Sequence, residues 1–280
     1  MTKASKKSRS FTLISFNTMS VFSFDSIHGF LESWNPIARQ KKISEILKSE
    51  NPDIITLQEV HTYFVLNILK KKLNYPYVSY KRYLYGPKGG LVTFSKFPIE
   101  RLTYIDYKKR GSFLNSSFIA HVIRNGVLAC QLKDLSLFIL NAHATPNLDH
   151  DDSKNNRFIK YIEAQLEQIS DLVNKMCKKN TNVVLAGDLN VAKNSYSYNN
   201  FLKTSKLDDV FGNFNAPTQH QEYLPKNKKV RRIDYIFARS LDSKPKILSK
   251  EHLFSEKYIL ENGRKCYLSD HIGLKATISF

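Results

Sequence analysis

Cysteine is scarce in this chain. There are three in 280 residues, Cys130, Cys177 and Cys266. They are odd in number, far apart and without CxxC spacing, which excludes a disulfide framework and a cysteine-based zinc site. Each reads as a small buried apolar residue or an incidental surface thiol. Long apolar runs are also missing. No stretch reaches the about 18 residues that a membrane-spanning helix needs. The basic start, with Lys3, Lys6, Lys7 and Arg9, is not followed by an apolar segment of signal-peptide type. The expectation is therefore a cytoplasmic protein, with export by a signal-independent route left open. No internal repeat, low-complexity block or linker is visible. Residues 1–10 read as a disordered basic tail and residues 11–280 as one catalytic domain. Acidic residues are the last deficit: 25 Asp and Glu stand against 43 Lys and Arg, a net charge of +18. That excess favours nucleic acid, phosphoinositides or an acidic membrane surface, or it is a solvated lysine-rich surface.

What is present is a series of short apolar strands interleaved with helices. FTLISF (11–16) reads as a strand ending at Asn17. Asn35-Pro36 reads as a helix start, with Ile43, Ile46 and Leu47 on one face and Asn51-Pro52 as the stop. A strand over 53–57 delivers Gln58-Glu59. A second helix is expected over 62–73, and a strand follows Gly89-Gly90. Residues 100–144 look strand-rich, clearest at 135–140. Phe158, Ile162, Leu166, Ile169, Val173 and Met176 recur at helical spacing. Strands are then expected over 182–186, 233–238 and 275–280. A chain of this length buries roughly three quarters of its unfolded surface, so its core needs no staples.

The polar residues of interest share one position. Asn17, Glu59, His143, Asp188 and Asp234 each follow an apolar run, and Asp270-His271 precedes the final one. Strands packed in sheets can gather such ends at one rim, where a rigid scaffold holds functional loops. Hard cations such as Mg²⁺ take oxygen ligands and keep waters, so one or two carboxylates suffice. Glu59 is the best candidate, and Asp270 could share that ion or hold a second. Asp188 and Asn190, two apart beyond a glycine, could both face one cleft, one orienting a water and the other donating to phosphoryl oxygens. His271 beside Asp270, with Asp234 upstream, suggests a carboxylate–imidazole pair. His143 can donate to a phosphate oxygen gaining charge. Any one of these taken alone is more often a cap, a turn former or a surface group. The joint pattern carries the argument.

That pattern resembles the endonuclease/exonuclease/phosphatase superfamily. The matching segments are SFN ending at Asn17, LQEV around Glu59, GLVTFSKFPI at 90–99, NAHA around His143, GDLN at 187–190, RIDYIF at 232–237 and SDH at 269–271. They occur in family order and span residues 11–280. The resemblance implies a four-layer α/β-sandwich, two packed, mainly antiparallel β-sheets flanked by helices. It also implies hydrolysis of a phosphate ester by water with Mg²⁺ or Mn²⁺. By that resemblance, Asn17, Glu59 and Asp270 belong to the metal site. Asp188 is similar to the group that orients or activates the water. Asn190 is similar to a transition-state hydrogen-bond donor, Asp234 to the partner of His271, and His143 to a second catalytic histidine.

Four features bear on substrate. His143 is present, whereas abasic-site endonucleases of the exonuclease III type lack a histidine in this motif. The segments GLVTFSKFPIE, 126–129 (GVLA) and YLSDHIGLKATISF are similar to neutral sphingomyelinases. Arg231, not tryptophan, precedes the RID motif. Ala144-Thr145-Pro146 after His143 is closer to deoxyribonuclease I. The expected substrate is a sphingomyelin-type phospholipid. A deoxyribonuclease I-like action on DNA is the alternative, and a phosphoinositide phosphatase a more distant one. The expected partner is an anionic or zwitterionic phospholipid surface, or DNA under the alternative; no obligate protein partner is inferred, and a monomer is expected.

Other features stay open at this level. Tyr75, Tyr77, Tyr80, Tyr83 and Tyr85 with Lys81, Arg82 and Lys88 could stack bases, sit at a bilayer interface or pack across strands. The run 226–232 (KNKKVRR) could grip phosphates or be a solvated loop. Phe22, Phe24, Ile27, Phe30, Leu31 and Trp34 could form a lid, a membrane contact or core.

Overall fold

Apolar side chains alternate along β1 (Ser10–Asn17). Leu13 faces one core, while Ile14 and Phe16 face another. The same alternation splits β8 (Asn182–Asp188), where Val184 and Ala186 point one way and Val183 and Leu185 the other. Strands buried on both faces are what a layered sandwich requires. A computed structural model describes residues 10–20, 36–110 and 124–280. The basic tail (apart from Ser10, which opens β1), the apolar loop from Phe22 to Trp34 and the Asn35 cap lie outside the described residues.

One six-stranded sheet runs β11-β14-β1-β2-β4-β3. Its strands are β1, β2 (Ile54–Gln58), β3 (Tyr77–Ser79), β4 (Val92–Ser95), β11 (Lys246–Leu253) and β14 (Gly273–Ser279). The other runs β5-β6-β7-β8-β10-β9. It is built from β5 (Arg101–Asp106), β6 (Gly126–Leu132), β7 (Leu137–His143), β8, β9 (Asp208–Asp209) and β10 (Asp234–Arg239). A two-stranded ribbon pairs β12 (Tyr258–Ile259) with β13 (Lys265–Cys266). Helices α1 (Pro36–Glu50) and α2 (Tyr63–Leu73) cover the first sheet through Ile43, Leu47, Leu66 and Leu69. Helices α3 (Ile159–Met176) and α4 (Tyr196–Ser205) cover the second through Ile162, Leu166, Ile169 and Phe201. Between the sheets lie Leu13, Ile54, Leu128, Ile139, Val184, Ile236 and Leu274. The four-layer α/β-sandwich is therefore as expected. All three cysteines are free and buried.

Strand direction explains why the polar residues converge. β1 and β2 are parallel, so Asn17 and Gln58 end side by side. β7 and β8 are parallel, so His143 ends beside Asp188. β10 and β14 run antiparallel to their neighbours, and their starts therefore lie at that same rim. Every other pairing within the two main sheets is antiparallel.

Below the rim, one buried amide pair joins the sheets. Gln58 Nε2 donates to Asn141 Oδ1 at 2.8 Å. Asn141 Nδ2 donates to the carbonyls of Leu57 and Val92, each at 3.0 Å. Asn141 sits on β7 and its partners on β2 and β4. A hydrogen-bonded buried amide fixes alignment where apolar packing alone tolerates sliding.

Candidate active site

Glu59 follows β2 with φ 59°, a left-handed conformation that a non-glycine residue adopts at some cost. The surroundings enforce it. Val60 N–H donates to Gly90 O at 2.9 Å, and a Cβ on Gly90 would lie 2.8 Å from Glu59 Cα. Gly90, at φ 66°, is thus required both for its backbone angle and for the close approach. Ser20 Oγ donates to Glu59 O. Asn17 Nδ2 donates to Glu59 Oε1 at 3.0 Å and to Asp188 Oδ2 at 3.2 Å. Its Oδ1 accepts from Met19 N–H at 3.1 Å. Asn17 therefore presents a donor to the two carboxylates. Burial, and next the negative charge of Asp270, push the Glu59 carboxyl up to about 7, against the Asn17 hydrogen bond that lowers it.

Asp188 lies opposite Asp234 in the β8–β10 register. Thr218 Oγ1 accepts from the backbone of Ile233 and Asp234, holding the start of β10. His271 Nδ1 is 2.8 Å from Asp234 Oδ2, and its Nε2 is 3.7 Å from Asp188 Oδ2 and 3.9 Å from Asp270 Oδ2. Burial alone would lower the His271 pKa, but Asp234, Asp270 and Asp188 together raise it well above the ordinary imidazole value. Burial, and then Asp234, raise Asp188. Ser269 Oγ donates to Asn17 O at 2.7 Å and accepts from His271 N–H at 3.1 Å, tying the last loop to β1.

Asn190, at φ 52°, donates its backbone N–H to Asp188 Oδ1 at 2.9 Å and its Nδ2 to Ala144 O at 3.2 Å. His143 Nε2 lies 3.7 Å from Asp188 Oδ2 and 4.0 Å from Glu59 Oε1. Both ring nitrogens of His143 are buried and have no hydrogen-bond partner among the described residues. Burial lowers its pKa to about 4, despite the opposing charge of Asp188. A neutral imidazole with unpaired nitrogens facing two carboxylates is arranged for a ligand.

All eight residues singled out in the sequence thus meet at one rim. Two contributors were not singled out. His61, half-buried, lowers the His143 pKa through its charge and is itself held at about 4 by burial. Its place two residues after Glu59 was the available signal. Arg39 on α1 donates to Leu268 O and Met19 O, each at 2.7 Å, and braces the loops leaving β1 and entering Asp270. Nothing in the α1 pattern distinguished that arginine from a solvated one. The KNKKVRR run is divided in use: Lys228 Nζ donates to Asp149 O, Arg231 pairs with Asp152, and Arg232 is buried against Asp209.

Two places suit a cation. Asp188, Asp234 and His271 offer ligand atoms within 4.8 Å of one another. In that trio, however, the ring of His271 is hydrogen-bonded to Asp234 and favours its protonated form, which competes with a metal. Glu59 and Asp270 instead repel each other, and a divalent ion between them would relieve the charge that raises Glu59. The oxygen donors present fit a hard cation.

A four-layer sandwich with carboxylates, amides and imidazoles collected at one rim defines the class: an α/β-sandwich protein with one polar site where its two sheets meet. Residues 27–271 match the Endonuclease/Exonuclease/phosphatase family, and the chain belongs to it. Human sphingomyelin phosphodiesterase 2 is 24% identical over 265 residues, 86% of this chain and 59% of that protein. The chain therefore spans less than two thirds of that relative. A Staphylococcus aureus beta toxin variant with bound magnesium ions superposes with a TM-score of 0.72 at 21% identity, covering 96% of this chain and 99% of the other. D. rerio TDP2 complexed with single-strand DNA product superposes at 0.68 and 19% identity, covering 96% and 98%. Among the described residues no helix is long and apolar enough to cross a membrane.

Proposed function

We propose that the chain is a divalent-cation-dependent phosphodiesterase whose substrate is a phospholipid of the sphingomyelin type. The observation that carries the reaction class is the meeting of the Glu59–Asp270 pair with Asp188 and the His271–Asp234 pair across the two sheets. Glu59 and Asp270 would hold Mg²⁺ or Mn²⁺, and Asn17 positions Glu59 through its amide hydrogen. When bound, the cation neutralises charge on the phosphoryl oxygens.

The rest falls to the chain's own groups. Asp188, whose affinity for a proton is raised, orients the attacking water and accepts its proton. Asn190 Nδ2 turns from Ala144 O to a phosphoryl oxygen. Neutral His143 donates one N–H to an oxygen that gains charge. His271, held by Asp234 and charged, stabilises the phosphorane-like arrangement and can supply the leaving oxygen with a proton.

The lipid reading is supported by the sphingomyelinase-like segments at 90–100, 126–129 and 267–280 and by the human relative. Ala144-Thr145-Pro146 and the likeness to a DNA-processing protein favour the second reading, DNA. Phosphocholine release from sphingomyelin vesicles and plasmid nicking, run in parallel at equal enzyme and Mg²⁺, separate them. Nicking that is lost in His143→Ala, with no lipid turnover at any vesicle charge, would overturn the lipid reading.

A further inference from the structure

Most of the tyrosine cluster turns inward. Tyr75 Oη donates to Pro52 O and its ring packs on Phe94, and Tyr80 packs on Tyr63. Tyr77 on β3 stays exposed, and so does a tight turn between β3 and β4. Lys88 N–H donates to Lys81 O at 2.7 Å and Tyr83 N–H to Gly86 O at 3.1 Å, and Arg82 bridges Pro87. Leu84 and Tyr85 form its tip, 69% and 83% exposed. Phe64, 59% exposed, lies at the start of α2, next in the chain to Tyr63, whose backbone bonds to Tyr85.

This tip is held firmly. Tyr63 N–H donates to Tyr85 O at 2.9 Å, Tyr63 Oη donates to Tyr83 O at 2.7 Å, and Tyr83 N–H donates back to Tyr63 Oη at 3.1 Å. A Cβ on Gly86 would collide with the carbonyl of His61. The turn is therefore fixed against the chain just after Glu59, at the mouth of the site. Among the described residues, nothing buries the exposed leucine and the two exposed aromatics of this rigid tip.

We infer that the Leu84–Tyr85 tip with Phe64 is an interfacial anchor that seats the site mouth on an anionic phospholipid surface, an inference that rests on the lipid reading above. Charge complementarity selects this occupant: exposed Lys81 and Arg82 flank the tip on the same turn, and the whole chain carries +18. Tyrosine and leucine at a tip with basic neighbours match the layered polarity of a bilayer interface. The patch is a few side chains wide, well short of the roughly 800 Å² per partner of a stable protein interface. Leu84 offers DNA no stacking face or hydrogen bond.

The test uses the whole chain and vesicles of phosphatidylserine, phosphatidylcholine and sphingomyelin. Co-sedimentation is measured in EDTA, so that binding is read apart from turnover. Leu84→Ser with Tyr85→Ser is expected to lower vesicle partitioning by about tenfold or more. Turnover of vesicle-borne lipid should fall in parallel. The rate on a soluble chromogenic phosphodiester and the melting temperature should stay unchanged. Tyr85→Trp should preserve partitioning, and Lys81→Glu with Arg82→Glu should weaken it only on phosphatidylserine-containing vesicles. Unchanged partitioning in the serine variant, a wild-type chain that does not sediment, or loss of duplex-DNA binding with vesicle binding intact would each overturn the anchor. Sphingomyelin left intact by a chain whose partitioning still depends on Leu84 and Tyr85 would overturn the substrate reading alone.

Discussion

Asp188 and Asp234 stand opposite each other in the β8–β10 register, and His271 lies between them, 2.8 Å from one carboxylate and 3.7 Å from the other. Two buried like charges facing each other across a ladder destabilise the pair, and the charged imidazole offsets them. His271→Ala and Asp188→Ala are each expected to lower turnover about a hundredfold or more; His271→Ala should also lower the melting temperature, because it leaves the two carboxylates facing each other without the compensating charge. Turnover preserved in a fully folded variant would show the residue to be structural.

Removal of divalent cations with EDTA should abolish hydrolysis, and Mg²⁺ or Mn²⁺ should restore it. Glu59→Gln removes the charge and keeps the shape. It should raise the Mg²⁺ concentration needed for half-maximal rate by about tenfold or more. Full activity in EDTA would contradict a cation-dependent mechanism.

Asn141→Ala should cost stability, not only activity. It removes the acceptor of Gln58 and the amide donor that reaches the Leu57 and Val92 carbonyls from the other sheet. A loss of about 2–4 kcal/mol in urea unfolding is expected for a buried network broken on one side. Unchanged stability would mean that water replaces the amide.

His252 carries a pH prediction away from the metal ligands. Burial, and then the charge of Arg232, hold its pKa below 6.5. Its ring stacks on Phe211, and its Nε2 is buried without a partner among the described residues. The folded form therefore binds its proton less readily than the unfolded chain. Stability from the neutral ring is present above 6.5 and is lost as pH falls toward the lower folded value. His252→Gln should flatten the fall in melting temperature between about pH 7 and about pH 5. An equally steep fall would exclude His252 as a contributor.

The strands that carry the site were legible because they are buried on both faces: LISF before Asn17, IITLQ before Glu59, VVLAG before Asp188. Their relative direction was not legible, since parallel pairing of β1 with β2 and of β7 with β8 depends on long-range crossovers. β11 left no trace, because KILSKEHL is an edge strand exposed along most of its length and shows no apolar alternation. α4 (YSYNNFLKTS) begins at a Ser195 cap but is built from weak helix formers, and packing against α3 stabilises it. Asn17 was singled out as part of the metal site. That its amide hydrogens, and not its oxygen, meet the carboxylates depends on Met19 N–H occupying Oδ1, which no residue pattern announces.

The amide link between Gln58 and Asn141 makes turnover a gauge of sheet alignment. Glu59, Asp270 and His271 ride on one sheet, and His143, Asp188 and Asp234 on the other. A slip of one sheet past the other by a single residue, about 3.3 Å, would leave every ladder hydrogen bond intact and still pull the two halves apart. Mild heating or low denaturant should then silence the site while the circular dichroism of the strands persists, as when a lock keeps all its pins but loses their common line.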